Sequence, residues 1–587
     1  MKRTITLALW VAVALTACSR EQPAQEDAAQ PEHAQQESAE AALQQSWPEY
    51  VAATIREYYR RNPEQAVYAG LHEYDGKASD LSMQAFADEM AWLDDVIAAT
   101  TAYKNLEGVE AFERNYLVQA LRSDLFTLRD SGFITNNPLL YARSLGFGVY
   151  VDREYAPIEQ RIQAYTRYIA NVPRMLEQMQ ENLQPPLPAP YINTAYSIFS
   201  GLAGYLDNTV PGLFAAVEDE VLQREFTAAN SAAQDAVRLS AEWLESLKET
   251  ATDNFALGEQ KFLKMLRDNE GVDISLAELK AAGQADLDRN LATLRKACAE
   301  FAPELSIKDC VLKVQADKPP EGAVAGARRQ LPMLKKFVED HNIVSIPGTE
   351  DALVAEAPPH RRSNAAYIEI PGPFEKGLPS VYYIAPPDPT WSKEDQLAYI
   401  PGEADLLAIS VHEVWPGHFL QFLHANRTDN NVGRHFSTYT FTEGWGHYTE
   451  QMMLDAGLGN GDPEVEIGQL LNALLRNVRY MSALGLHTGG MSVEESRKMF
   501  EEQAFQDYGN ALQQANRGTY DPGYLNYTLG KLMINKLRDD WTAGRGGREA
   551  WGRFHDEFLS YGSPPIPLVR RQMLGPDYKG DTTLLPE

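Results

Sequence analysis

The sequence is poor in cysteine and in basic residues, and it has one long run of apolar residues. Three cysteines among 587 residues leave room for one internal disulfide at most. Lys and Arg together number 53 against 82 Asp and Glu, which gives a formal net charge of −29. So acidic a chain argues against nucleic acid as a partner, because nucleic-acid sites need a basic surface.

The long apolar run lies at the start of the sequence, in MKRTITLALWVAVALTACS. Lys2 and Arg3 precede an apolar stretch that ends at Ala14 and is too short to span a bilayer as a mature helix. We therefore predict a secretory signal peptide over residues 1–17. Its cleavage would remove two positive charges and leave the chain still more acidic.

Leu15-Thr16-Ala17-Cys18 resembles a bacterial lipobox. That resemblance implies that Cys18 becomes the lipidated N-terminus, and Ser19 is typical of lipoproteins sorted to the outer membrane. The alternative is a plain signal peptide followed by an incidental cysteine. Residues 18–45 are rich in Gln, Glu and Ala without apolar periodicity, which predicts a disordered tether. We expect a lipid-anchored protein of the bacterial envelope, at the outer membrane and facing the periplasm.

The other two cysteines, Cys298 and Cys310, lie close together in KACAEFAPELSIKDC. An exported compartment permits a disulfide between them, which would close a short loop. Two buried thiols are the alternative, and either arrangement would have a structural role.

Most of the remaining chain shows the apolar spacing of amphipathic helices. This spacing predicts helices over 47–64, 82–100, 215–249, 276–300, 322–341, 404–426, 440–456, 463–485, 494–514 and 523–543. Short β-branched and aromatic runs between 343 and 385, separated by Pro and Gly, predict a small sheet or hairpins. The predicted fold is therefore mainly α with a minor sheet.

The chain is too long for one ordinary core, so two or more packed lobes are expected. A change of composition in KVQADKPPEG, residues 313–322, indicates a boundary between them. We predict an N-terminal helical lobe over 46–320 and a second helical lobe, with the small sheet and a metal site, over 321–587.

The metal site is predicted from HEVWPGH, residues 412–418, which is similar to the zinc-protease motif H-E-x-x-H but has a longer spacing. Residues six apart on a regular helix differ by about 120° in direction, so His412 and His418 could not face one metal on an unbroken helix. Pro416 donates no backbone hydrogen bond and its ring clashes with the carbonyl of His412, whereas Gly417 tolerates unusual dihedrals. A break here could return His418 to the side of His412.

Zinc in a catalytic site takes imidazoles and often a carboxylate, and it leaves one position open for water. Glu413, next to the first histidine, is the expected general base. A third ligand is expected from residues 441–452, where Glu443, His447 and Glu450 share one helix face. Glu443 as ligand, with Glu450 orienting a histidine, is a coherent arrangement. The alternative is a chance group of surface histidines on an ordinary acidic helix.

These motifs resemble the bacterial family known as domain of unknown function 885, many members of which are exported lipoproteins. The family pattern H-E-x-x-P-G-H-x-x-Q corresponds to residues 412–421, and E-G-W-A-L-Y-A-E corresponds to residues 443–450. Further similar segments are 58–76, 337–347, 366–375, 485–487 and 522–538.

That family is similar to mainly helical zinc peptidases of the gluzincin type, such as neurolysin, angiotensin-converting enzyme and Taq-type carboxypeptidases. The resemblance implies two helical lobes around a deep cleft and cleavage of oligopeptides. It also implies Zn²⁺ ligands at His412, His418 and Glu443, with Glu413 as the base. His447 replaces an apolar residue of the family pattern, so it could compete with Glu443 for the metal.

Amide hydrolysis also needs a group that stabilises charge on the carbonyl oxygen. Tyr527, which matches the family's tyrosine in the PG…Y…GK segment, is the first candidate, and His487 is the second. Each could instead be an ordinary packed side chain. The strand-like AAYIEIPG could present an edge to an extended peptide, although such a run is more often part of a core.

The sequence therefore predicts a zinc-dependent peptidase that hydrolyses short peptides in the bacterial envelope. One alternative is a zinc hydrolase of a non-peptide ester or amide, since the same chemistry would serve. Another is a non-catalytic envelope protein that binds a partner and holds a structural metal. A closed four-ligand site that includes His447 would favour this last alternative.

Overall fold

The computed structural model describes residues 42–358, 361–362 and 365–586. The predicted signal peptide, the lipidation site at Cys18 and residues 18–41 of the predicted tether lie outside the described residues. No helix in the described part of the chain is both long enough and apolar enough to cross a membrane.

Helices make up most of the described chain, which confirms the predicted mainly α class. Those of the first half are α1 (Trp47–Arg61), α2 (Pro63–Tyr68), α3 (Met83–Ala102), α4 (Gly108–Leu125), α5 (Phe133–Asn136), α6 (Pro138–Arg143), α7 (Gly148–Asp152), α8 (Ile158–Ile169), α9 (Val172–Asn182), α10 (Ala189–Asn208), α11 (Val210–Leu213), α12 (Glu220–Ser246), α13 (Glu259–Glu270) and α14 (Leu276–Phe301).

The second half continues with helices that surround a small sheet. They are α15 (Ile307–Ala316), α16 (Ala323–Asp340), α17 (Lys393–Tyr399), α18 (Glu403–Glu413), α19 (His418–Ala425), α20 (Tyr439–Asp455), α21 (Pro463–Thr488), α22 (Val493–Gln503), α23 (Tyr508–Tyr520), α24 (Asn526–Thr542), α25 (Trp551–Ser560) and α26 (Ile566–Leu574).

Local chemistry explains where several of these helices begin. Before α14, the Ser275 hydroxyl accepts from the Glu278 N–H at 3.2 Å, and the Glu278 carboxylate accepts from the Ser275 N–H at 2.9 Å. This capping box satisfies two backbone groups that a helix start otherwise leaves without partners. The same arrangement of Ser492 and Glu495 begins α22.

Two predicted helical stretches are each divided in the structure: the break expected at Pro416-Gly417 is present, whereas the break within 494–514 was not predicted. The first is divided into α18 and α19, and the second into α22 and α23. The second break has a local cause. Phe505 has a positive φ of 54°, and the Asp507 carboxylate accepts from the Asn510 N–H at 3.1 Å and so begins a new helix.

The predicted small sheet has three strands, β1 (Leu353–Glu356), β2 (Ala366–Glu369) and β3 (Val381–Ile384). Their order is β1-β3-β2, with β1 parallel and β2 antiparallel to β3. Among the described residues, β2 is therefore an edge strand that pairs on one side only. Its Ile368 lies opposite Tyr382 of β3.

Buried apolar side chains form two large clusters. One cluster joins residues between 67 and 244, and the other joins residues between 262 and 585 together with Phe126. Side chains of residues 262–314 thus pack with the later helices, although the predicted lobe boundary lies at 320. The boundary, the two lobes and the cleft remain predictions. In the later cluster, Cys298 of α14 and Cys310 of α15 form a disulfide, with their Cα atoms 5.9 Å apart.

Candidate metal centre

The chain breaks its helix between the two motif histidines. Helix α18 ends at Glu413, α19 begins at His418, and the Trp415–Pro416 peptide bond between them is cis. A Cβ on Gly417 would lie 1.8 Å from the His412 carbonyl oxygen, so this close approach requires glycine. The break returns His418 to the side of His412, with ring centroids 4.7 Å apart and planes at 85°.

Glu443 of α20 completes a triangle of donor atoms. Its Oε2 lies 3.4 Å from Nε2 of His412 and 3.3 Å from Nε2 of His418. This oxygen is buried and accepts no well-directed hydrogen bond. In a tetrahedral zinc site, whose bonds are 2.0–2.2 Å long, adjacent donors are about 3.3 Å apart. The spacing and the two-histidine, one-glutamate donor set therefore fit Zn²⁺. Within the described chain, this is the one such group of three His, Cys, Asp or Glu donors.

Glu450 lies behind His412, as predicted for an orienting carboxylate. The Nδ1–H of His412 donates to Glu450 Oε1 at 2.7 Å, and Arg476 of α21 approaches the same oxygen at 3.0 Å. Burial alone would raise the pKa of Glu450, but the charge of Arg476 and hydrogen bonds from His412 and His447 hold it well below its usual range. An ionised Glu450 fixes the ring orientation of His412 and directs its Nε2 toward the other donors.

His447 does not lie among the donor atoms. Its ring is fully buried, its Nδ1 is 3.3 Å from Glu450 Oε2, and its Nε2 has no hydrogen-bond partner. Burial lowers the pKa of His447 to about 3, so the ring is neutral. The structure thus brings Glu443, and not His447, to the two histidines, and it places His447 behind Glu450.

Glu413, the expected base, lies beside the edge strand of the sheet. Its Oε2 accepts from the backbone N–H of Ile368 in β2 at 3.1 Å. Backbone groups of an antiparallel strand point alternately toward and away from the paired strand, so this N–H points away from β3. A single hydrogen bond therefore holds one oxygen of Glu413 and connects β2 to the end of α18.

Tyr527, in the first turn of α24, lies against the same group. Its ring centroid is 6.3 Å from that of His412, with the planes at 23°. Burial and the nearby charge of Glu443 raise the pKa of Tyr527, so its hydroxyl remains protonated and can donate. The structure therefore brings the first predicted stabilising group to the donor triangle.

His487, the second candidate, has a different role, which corrects the prediction. Its Nδ1 accepts from the Leu257 N–H at 3.3 Å, and its Nε2 donates to the Gly518 carbonyl at 2.8 Å. Burial lowers the pKa of His487 to about 4. Since backbone partners occupy both ring nitrogens, neither is free to stabilise charge on a substrate.

Sequence reasoning did not find several residues of this site. Gly446 is needed because a Cβ there would lie 2.6 Å from Cε1 of His412. Arg476 and Arg479 of α21 also lie beside Tyr527, with their Cζ atoms 5.6 Å and 5.0 Å from its ring centroid. A signal was present for both arginines, because they stand three residues apart in the otherwise apolar run LLNALLRNVRYMSALGLH.

Comparison with known proteins gives a family but no activity. No curated protein matches the chain. A solved structure of a candidate lipoprotein of unknown function from Shewanella oneidensis is 22% identical, with a TM-score of 0.77 over 90% of this chain and 100% of that chain. Another, of a candidate lipoprotein from Colwellia psychrerythraea, is 17% identical, with a TM-score of 0.75 over 92% of this chain and 98% of that chain.

At these identities the two structures show that the fold is shared. The profile of a family described as bacterial protein of unknown function (DUF885) matches residues 63–573. The match covers most of the sequence and includes every residue of the candidate metal centre. The chain therefore belongs to the bacterial DUF885 family.

Proposed function

We propose that this protein is a zinc-dependent peptidase that hydrolyses short peptides in the bacterial envelope. The observation that carries the proposal is the convergence of three donor atoms, from His412, His418 and Glu443, with Glu413 directly after His412 in the chain. Bound zinc would polarise a substrate carbonyl and make water a nucleophile at neutral pH.

Glu413 would remove a proton from the attacking water and then deliver it to the leaving amine. The Ile368 N–H holds one of its oxygens at 3.1 Å and so orients the carboxylate. The protonated hydroxyl of Tyr527 would donate to the carbonyl oxygen as negative charge develops there. Glu450 keeps His412 in the orientation that the donor triangle needs.

The composition of the donor set supports a catalytic role over a structural one. A structural zinc site is closed by four protein ligands, whereas a catalytic site keeps one position open. Three donors converge in the described chain, and His447, the candidate fourth ligand, lies behind Glu450. The alternative of a structural metal in a non-catalytic protein is therefore disfavoured.

The sheet edge beside the base supports a peptide as the substrate. Strand β2 pairs with β3 on one side, and the Ile368 N–H on its other side reaches Glu413. An extended peptide can add to such an edge through backbone hydrogen bonds, which would bring a peptide bond close to Glu413. A small ester or amide would not use this edge, so the geometry favours peptides over that alternative.

An envelope location rests on the N-terminal sequence and on the relatives. The lipobox-like segment ends at Cys18, and both similar solved structures are described as candidate lipoproteins. A lipid anchor at Cys18 would tether the enzyme to the outer membrane, facing periplasmic peptides.

Substitution of Glu413 tests the proposal directly. The purified protein should contain about one zinc per chain, measured by elemental mass spectrometry, and should cleave members of a peptide library. Glu413→Gln should retain zinc and lose peptide hydrolysis, because the amide cannot accept the proton. Ester substrates run in parallel distinguish peptidase from esterase activity. Full activity of Glu413→Gln, or protein without zinc, would contradict the proposal.

A further inference from the structure

Arg479 is a buried cation for which the structure provides no carboxylate. It is 8% exposed, and its Nε donates to the side-chain oxygen of Gln514 at 2.8 Å. None of the described Asp or Glu residues forms an ion pair with it, and its charged neighbours are Arg476 and Arg517. A buried charge is normally compensated by a partner, because its desolvation is costly.

The two neighbouring arginines are already paired. Arg476 approaches Glu450 at 3.0 Å, and Nε of Arg517 lies 3.0 Å from the Asp521 carboxylate. Arg517 also donates to the Tyr439 hydroxyl at 2.9 Å, and it is hydrogen-bonded to Tyr527. Of the three guanidinium groups beside Tyr527, two therefore have a carboxylate partner, and the charge of Arg479 is the one in excess of these pairs.

The excess charge lies close to the reacting atoms. The Tyr527 ring lies near both Arg479 and His412, with Arg479 Cζ 5.0 Å and the His412 ring 6.3 Å from its centroid, so the two groups are at most about 11 Å apart. Each residue of an extended peptide spans about 3.3–3.6 Å, so this distance corresponds to at most about three residues of a substrate. Arg517 is 26% exposed at its side chain, so this group of arginines reaches solvent at that residue.

We propose that Arg479, assisted by Arg517, binds a carboxylate of the substrate within about three residues of the scissile bond. The planar guanidinium group matches a carboxylate through two parallel hydrogen bonds. This inference rests on the proposed peptidase function and adds a substrate class to it. The carboxylate is either the C-terminus of the peptide, in which case the enzyme trims peptides from that end, or an acidic side chain.

Three forms of one cleavable peptide test this subsite. They carry a free C-terminal carboxylate, a C-terminal amide, or an amide with Glu as the last residue. The zinc-loaded wild-type protein should show a kcat/KM for the free acid about tenfold to a hundredfold above that for the amide, because hydrogen bonds to charged groups are strong. Comparable cleavage of the Glu-containing amide would identify an acidic side chain as the ligand.

Variants of Arg479 separate a binding role from a structural one. Arg479→Gln should reduce the acid-to-amide ratio to about one. Arg479→Lys should restore part of the ratio, because Lys keeps the positive charge but lacks the paired N–H groups of the guanidinium. The matched control is Arg238→Gln, a change of an exposed side chain on α12, which should leave the ratio unchanged. Far-UV circular dichroism checks the fold. An unchanged ratio in Arg479→Gln, or equal cleavage of acid and amide by the wild type, would overturn the inference.

A binding measurement decides the inference if no peptide is cleaved. The zinc-loaded Glu413→Gln protein should bind the free acid about ten times more tightly than the amide by calorimetry. Addition of Arg479→Gln should remove that difference. Equal affinities for acid and amide would overturn the carboxylate subsite, whereas absent hydrolysis with preserved preference would reject only the peptidase function.

Discussion

At the scale of single residues, the candidate site depends on charges that support one another. Glu450 remains ionised in a fully buried position because Arg476 lies 3.0 Å away and His412 donates to it at 2.7 Å. The carboxylate sets the tautomer of His412, so that Nε2 carries the lone pair a metal needs. A residue that touches neither metal nor substrate therefore controls one of the ligands.

Substitution of Glu450 tests this control. Glu450→Gln keeps the size of the side chain but removes its charge, and it leaves Arg476 buried without a carboxylate. We expect zinc affinity to fall by about tenfold to a hundredfold, as measured by competition with a chelator. Glu242→Gln, an exposed change on α12, is the matched control and should have no effect. Wild-type affinity in Glu450→Gln would contradict the assigned role.

At the scale of elements, the break between α18 and α19 decides where His418 points. The sequence predicted a break, since the spacing of the histidines does not suit one helix and Pro416-Gly417 cannot continue it easily. The structure adds that residue 417 must be glycine, because it lies directly against the His412 carbonyl and leaves no room for a Cβ. The helix also ends earlier than expected, at Glu413, which frees that residue to meet Ile368 of β2.

Substitution of Gly417 should separate the two histidines. In Gly417→Ala the added Cβ would overlap the His412 carbonyl, so the connection between the helices must shift. We expect zinc content well below one per chain and a loss of about 1–3 kcal/mol in the free energy of unfolding, typical of overpacking. Gly544→Ala, where no atom lies within 4 Å of the new Cβ, is the control. Full zinc content in Gly417→Ala would refute this account.

At the scale of the whole molecule, charged contacts join the early helices to the sheet region. His72 lies 3.0 Å from Asp75 and 3.3 Å from Glu375, a residue 303 positions later in the chain. Arg153 approaches Glu369 of β2 at 2.7 Å and Glu375 at 3.5 Å. These pairs hold the first part of the chain against the strand that contacts Glu413.

This connection should make stability depend on pH. Burial alone would lower the pKa of His72, but its hydrogen bonds to Asp75 and Glu375 raise it to about 9. A raised pKa stabilises the folded state fully below about pH 6.5, the unfolded value, and this stabilisation is lost as pH rises through 9. The difference in Tm between the wild type and His72→Gln should therefore shrink between pH 6.5 and pH 9.5.

Exposed His341→Gln is the matched control for this pH series. Its Tm should follow that of the wild type at every pH. A constant difference between the wild type and His72→Gln across the series would show that the His72 contacts are not charged.

Much of this molecule could be predicted from local sequence. Helical spacing located many of the long helices to within a few residues, because amphipathic periodicity and capping residues act over one or two turns, although α4 and α10 were not predicted. The short strands were also expected in the right stretch. The break at 414–417 was expected from Pro416-Gly417, whereas the break at 504–507 was not, because the positive φ of Phe505 is not apparent from helical spacing.

The sequence alone determined the candidate ligands His412, His418 and Glu443, the candidate base Glu413 and the family, because these depend on residue type and short spacing. Tertiary structure decided that His447 lies behind Glu450, that His487 is bonded to backbone atoms, and that Arg479 has no carboxylate partner. The physical reason is that the direction of a buried side chain and the pairing of a buried charge depend on neighbouring helices. Those helices are distant in sequence and pack together only in the folded chain.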